Sequence, residues 1–473
     1  VSPLFPTGRV AVHLPDPRTV APADQVRVAH LPELVRLAAP ALAQELGAFP
    51  EVVDTPPPWR GPRWELRLAG VEPAHHVDRA AKVLVTEAPT MDGLLDALST
   101  LRDLSRRPDG RWPVRDCADV EELITRVRDA VADTVPSLAS RGLDWAALTA
   151  RHAPRVRAAT DPLDAVRCWI AELGDAHCAV HAGGPNGRLP YALHCGPDRV
   201  VFWEVPATSA AFAAGVRPGW RLDVDPAHLL ARTGASPHAR PWVAGALAVS
   251  GPVGVPRTYA ALGPGGRRVP FTEAPEAPFA APNLTVGALP SGAPIVHVRA
   301  FPPGLSELLA PVWRNLRGDR LVIDLRGNGG GNLAEAWRLR DRFLDPGPVG
   351  TIRTTLPGGA LGPPVALVGG AVDRWRGRVH FLTDARTYSA SEDALLGLQG
   401  LPHVRVVGRA SGGGSGRVRR VRLLPGAVLT LSTALTWDRR QRCVEGQGIP
   451  VDVETPWSDP TAPDPALAAA DRW

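Results

Sequence analysis

The chain predicts a multidomain α/β protein, and three observations carry that prediction. From Pro290 onward apolar runs and amphipathic stretches alternate: APIVHVRAF, LSELLAPVWRNLR, RLVIDLRG, NLAEAWRLRDRFL, PVALVGG, RVHFLTD, SASEDALLGLQG and VRVVGR. Such alternation argues for a mostly parallel sheet with helices on its faces and a site at the carboxyl ends of its strands. From Asp116 the pattern is helical, with CADVEELITRVRDAVADTVPSLASRGLDWAALTARHAPRV followed by DPLDAVRCWIAELGDAH. Between these regions, residues 190–275 carry short apolar runs broken by Gly and Pro, which signals compact β structure.

Four domains are expected in order. Residues 1–110 form a small α/β accessory domain. RWELRLAGV and AAKVLVTEAP supply strands, and Leu and Ala recur at helical spacing in TMDGLLDALSTLRDLSRR. This strand-helix pair resembles the accessory α/β domain that precedes some hexosaminidase barrels. Residues 111–187 form a helical subdomain carrying LGDAH, with Asp119 and Asp161 as N-caps and Gly142 and Gly174 at helix stops. Residues 188–280 form a β module in which SAAFAAGVRPGWRLDV reads as short helix, glycine turn and strand. That order resembles the PDZ core without its carboxylate-binding loop, so the module is a degenerate PDZ-like one. Residues 281–473 form the α/β catalytic domain and a C-terminal tail.

Composition narrows the function. Hydrophobic residues make up 44% of 473, ordinary for a globular protein. The net charge is +5, nearly every cation is Arg with Lys82 the single lysine, and the basic residues are scattered except in GRVRRVRL (416–423). No nucleic-acid partner is expected. The N-terminus lacks a charged segment joined to an apolar one, and no window approaches about 18 apolar residues, so no membrane association is expected. Five scattered cysteines do not suggest a disulfide framework, which favours a cytoplasmic location. HCAVH (177–181) and LHC (193–195) cluster His and Cys, yet neither CxxC nor HExxH occurs. No metal or other cofactor is expected.

Two corners carry the chemistry. In RLVIDLRGNGGGN an apolar strand ends at Arg326 and three glycines precede a helix near Leu333. Backbone without Cβ atoms can turn its N–H groups inward at a helix N-terminus, which makes an oxyanion-hole candidate of Gly329 and Gly330. A phosphate-binding turn is the competing reading, but neither GxxxxGK[ST] nor GxGxxG is matched. In RVHFLTDARTYSASED a strand runs into Ser389 just before a helix, so the Ser389 hydroxyl and the Ala390 N–H face one space. Ser389 is the candidate nucleophile; a plain N-cap by Ser389 or Ser391, with Glu392 and Asp393 in the first turn, is the alternative. Asn328, Gly331 and Tyr388 flank the two corners as candidate substrate-binding residues.

DLRGNGGGN together with TYSASED resembles the tail-specific (C-terminal processing) and tricorn-type serine peptidase family, over about 112–455 and in the same order of parts. The resemblance implies that Ser389 is the nucleophile. Many members use a lysine about 25 residues later in a VGxxTxGK-like loop; here that loop is VGRASGGGSG, and Lys82 cannot belong to it. The tricorn-like His-Ser-Glu branch is implied instead. It places the base at His177 in LGDAH and the third member at Glu445 in VEGQGIPVD, where Val451 separates the Pro and Asp that the family has adjacent. The expected activity is hydrolysis of linear polypeptides, near their C-terminus, through an acyl-enzyme. The partner is then a peptide or protein substrate. A non-catalytic peptide-binding protein on the same scaffold, and an acyl transferase or cyclase, are the alternatives.

Overall fold

Apolar, β-branched strands such as RLVID and RVHFLT bury both faces, which only a sheet covered on each side permits. The computed structural model describes residues 9–15, 49–52, 63–68, 73–78, 80–88, 94, 97–98, 110–182, 186–277, 283–316, 318–356, 358–372, 374–414, 416–456 and 462–472. They fall into two compact units, one of residues 1–135, 354–362 and 418–431, the other of 136–353, 363–417 and 432–473.

The second unit contains a six-stranded sheet in the order Leu284–Ala288, Pro294–Val298, Arg320–Asp324, Arg378–Thr383, Val404–Gly408, Val453–Glu454. Its first pair is antiparallel and the rest are parallel. One face packs Val296, Ile323 and Phe381 against Leu339 of the helix Leu333–Asp341 and against Phe343 and Leu395 in the turns that follow the covering helices. The other packs Ile295, Val322, Leu382 and Val407 against Ala470 of the helix Pro465–Asp471. Parallel register brings the ends at Val298, Asp324, Thr383 and Gly408 to one edge. PVALVGG does not join this sheet: Val365–Gly369 pairs antiparallel with Gly347–Thr354, a neighbour of Ala434–Asp438 in a separate three-stranded sheet.

Residues 192–273 form a five-stranded sheet, antiparallel throughout, around Tyr191, Phe202, Tyr259 and Phe271. The helix Ala210–Ala213, the turn at Gly215 and Gly219, and the strand Arg221–Leu222 follow as read from the sequence. The same unit holds the helices Trp145–Ala158 and Pro162–Ala171, capped by Asp144 and Asp161 and joined by the stacked pair Trp145 and Trp169.

The first unit is an α/β assembly with sheet order Phe49–Val52, Arg9–His13, Arg63–Leu68, Val83–Ala88, Ala74–Asp78, Gly110–Pro113. The helix Val120–Thr134, capped by Asp119, belongs to this unit; it stops well before Gly142 because Pro136 follows and disfavours helical backbone at Val135. The helix expected over 90–107 lies outside the described residues except at Leu94, Ala97 and Leu98, which are helical. Among the described residues no helix is long and apolar enough to cross a membrane.

Candidate active site

The glycine corner is fixed before its glycines begin. Asp324 ends its strand fully buried; burial alone would raise its pKa, but hydrogen bonds from Arg326 at 2.8 Å and His297 at 3.0 Å hold it well below the carboxylate range. Asn328, also buried, donates to Val298 O at 2.9 Å and accepts the Gly330 N–H at 2.9 Å. Its carbonyl accepts the Tyr388 N–H at 2.9 Å and the Ser391 hydroxyl at 3.0 Å, which ties the two corners together. Gly330 has φ +103°, and a Cβ there would stand 2.9 Å from Ser389 Cβ; at Gly331 it would stand 2.4 Å from Phe301 O. Glycine is therefore required at both by backbone angle and by space. Asn332 caps the helix Leu333–Asp341, as the glycine run predicts.

Ser389 has φ 58° and ψ −123°, a conformation L residues rarely adopt, at a cost of about 1–3 kcal/mol. Glu392 opposes that cost. Its buried carboxylate accepts the Ser389 N–H at 2.9 Å, the Ser411 hydroxyl at 2.6 Å and the N–H groups of Gly413 and Gly414 at 2.8 Å each. Burial nevertheless outweighs these bonds and pushes the Glu392 pKa up to about 7. The helix that follows is one turn, Ala390–Asp393, and the chain then passes into turns because Gly397 and Gly400 take φ near +78° and +77°. Capping and nucleophile readings of this segment thus coexist: Glu392 reaches back to the backbone while the Ser389 hydroxyl faces outward to histidine.

His177 lies in the turn after Asp175 and comes to Ser389 from 212 residues away, with Nε2 2.9 Å from Oγ. Burial lowers its pKa below the ordinary 6.5, opposed by Asp175 and reinforced by Arg417. On the far side, Nδ1 stands 3.3 Å from Tyr388 Oη and 3.9 Å from Asp175 Oδ1, the latter too long for a hydrogen bond. Asp175 is itself buried and accepts the His177 N–H at 2.8 Å and the Ser432 hydroxyl at 2.5 Å.

Glu445 is tied to the histidine loop through an arginine. Its carboxylate pairs with Arg141 at 2.7 Å, and Arg141 also donates to Gly174 O at 3.0 Å, so the glutamate anchors a clamp across the histidine loop. Of the expected oxyanion donors, the Gly330 N–H is already bound by Asn328. Among the described residues no acceptor takes the N–H of Gly329 or of Ala390. Asp175, Arg141 and Ser411 were missed from sequence; Asp175 had a signal in LGDAH, and Glu392 had one as the fourth residue of a capping-box pattern. Arg141 had none. No group of three or more His, Cys, Asp or Glu suited to a metal occurs among the described residues.

A serine in a strained corner, a buried imidazole on its hydroxyl and unspent N–H groups nearby form an arrangement that can perform acyl transfer. Residues 295–455, which hold both corners and Glu445 but not His177, match peptidase family S41. That match covers about a third of the chain. A nisin-resistance protein of Lactococcus lactis subsp. lactis is 26% identical over 148 residues, which is 28% of this chain and 46% of that protein, so the chain spans less than half of the relative's length. Mature CPAF, solved with lactacystin, superposes with TM-score 0.55 at 12% identity over 75% of this chain and 96% of that one. That likeness shows the fold. A photosystem II D1 C-terminal processing protease gives TM-score 0.48 at 17% identity over 75% and 97%.

Proposed function

We propose that the protein hydrolyses peptide bonds of linear polypeptides by a histidine-based serine mechanism, and the contact of 2.9 Å between His177 Nε2 and Ser389 Oγ carries this reading. With its proton on Nδ1, His177 accepts the Ser389 hydroxyl proton at Nε2 as Oγ attacks the carbonyl carbon. The N–H groups of Gly329 and Ala390 hold the oxygen as it becomes anionic. Collapse of the tetrahedral intermediate breaks the C–N bond, and the imidazolium gives its proton to the departing amine. Water, deprotonated by His177, then releases the acid and restores Ser389. The histidine-based branch is favoured over a serine-lysine dyad because Lys82 is the only lysine and belongs to the other compact unit.

Substrates are proposed to be held near a free carboxyl end. The PDZ-like order of helix, glycine turn and strand at 210–222 supports that reading. A cytoplasmic setting is proposed with it, on the odd number and wide spacing of the cysteines in the sequence. The test is incubation with unstructured peptides bearing free or amidated C-termini, read by mass. Hydrolysis gives fragments that sum to the peptide plus one water, absent with Ser389→Ala and slower on amidated peptides. A cyclised or transferred product without added water contradicts hydrolysis, and equal rates on both peptide sets contradict carboxyl-end capture.

A further inference from the structure

We infer that Tyr388, the residue before the nucleophile, is a positioning residue on Nδ1 of His177, backed by the Asp175 carboxylate. The inference rests on the reading of Ser389 and His177 as nucleophile and base. Tyr388 Oη is 3.3 Å from Nδ1, and the two rings lie 4.8 Å apart at 37°. The tyrosine cannot swing away, because its ring is seated against bare backbone. A Cβ on Gly412 would stand 2.7 Å from Tyr388 Cδ2, and one on Gly414 would stand 1.9 Å from Cζ and 2.1 Å from Oη. The glycine run SGGGSG therefore makes room for this ring, in the loop where a lysine-bearing relative would carry its base.

The chemistry of Nδ1 needs both partners. A phenol can accept the Nδ1–H, or donate to a bare Nδ1; the second arrangement leaves the proton on Nε2, where it blocks proton transfer from Ser389. The Asp175 carboxylate, 3.9 Å from Nδ1, favours the proton there and so makes Tyr388 the acceptor. The carboxylate is held in place by the His177 N–H and Ser432. Burial and neighbouring carboxylates raise the Tyr388 pKa well above its usual value, so the phenol stays neutral. No proton leaves Nδ1 during the cycle. Glu445, paired with Arg141, stabilises the loop geometry.

The test is the rate of Ser389 modification by a fluorophosphonate as a function of pH, in wild type, Tyr388→Phe, Gly414→Ala and Glu445→Gln, with thermal unfolding of each. Tyr388→Phe keeps the ring and its packing; its plateau rate falls about tenfold, the loss of one hydrogen bond in the transition state. Its acid limb also moves to lower pH, since the imidazolium has lost an acceptor. Gly414→Ala displaces the ring and loses at least as much. Glu445→Gln lowers the unfolding temperature and leaves the acid limb in place. A wild-type rate and limb in Tyr388→Phe, or a shifted limb in Glu445→Gln, overturns the inference. Unmodified wild type overturns the serine-histidine reading itself, a separate failure.

Discussion

The two strand-to-helix corners at the sheet edge solve one problem, a sharp reversal beside the reacting atoms, by opposite means. The corner at 327–331 uses glycine at 327, 330 and 331, which takes positive φ at little cost, and Asn328 alone carries a side chain there. The corner at 388–392 must present a side chain, so Ser389 carries the strain and Glu392 holds it with a carboxylate buried among four donors. Strain without an anchor would relax. Conformational freedom makes one corner, and a buried charge makes the other.

The largest expected effect is at the serine. Ser389→Ala should lower kcat by roughly a millionfold, measured on any cleaved peptide, with unfolding temperature maintained because alanine keeps the Cβ and the same backbone angles. Next is its anchor. Glu392→Ala leaves the N–H groups of Ser389, Gly413 and Gly414 and the Ser411 hydroxyl without their acceptor, and should cost about 3 kcal/mol in urea unfolding together with most activity. Intact activity in that variant would mean that the corner holds its own strain.

In the glycine corner Gly330→Ala forces a left-handed angle of +103° on alanine and a contact of 2.9 Å with Ser389 Cβ, so kcat/KM should fall tenfold or more, about 1.4 kcal/mol. Gly329 has no such angle, and a Cβ there meets nothing within 4 Å, so Gly329→Ala should change kcat/KM by less than about twofold. Equal losses at the two glycines would erase the distinction drawn within this corner.

The same comparison has a pH signature. Glu392 is raised from 4.5 to about 7 in the folded protein, so the folded state holds a proton that the unfolded state has lost between those values. Its contribution to stability is present in full below pH 4.5, falls as pH rises toward 7 and is flat above; the fall is about 3 kcal/mol. Subtracting the stability of Glu392→Gln from that of wild type across this window should isolate the slope. A flat difference would place the carboxylate in an ordinary environment.

Much of this was legible in the chain. The alternating runs after Pro290 foretold the parallel sheet because strands buried on both faces are apolar throughout. GNGGGN and TYSASE marked both corners, since each needs residue types that few other structures require in that order. Contacts made across long separations were not legible. PVALVGG is apolar enough for the central sheet, yet it pairs with the preceding strand Gly347–Thr354 in a sheet completed by the distant Ala434–Asp438, a choice that composition does not encode. Glu445 looked like the third member of a relay and is held by Arg141, 304 residues away. The reason for glycine at 412 and 414 lies in the Tyr388 ring, which no local pattern reveals.

The most direct test of the site is fluorophosphonate modification of the folded protein at neutral pH, read by intact mass and peptide mapping in wild type, Ser389→Ala and His177→Ala. A single adduct on Ser389, absent in Ser389→Ala and lost or greatly slowed in His177→Ala, is the predicted result. Folded wild type without an adduct, or an adduct on Ser389 that forms as fast without His177, would contradict it.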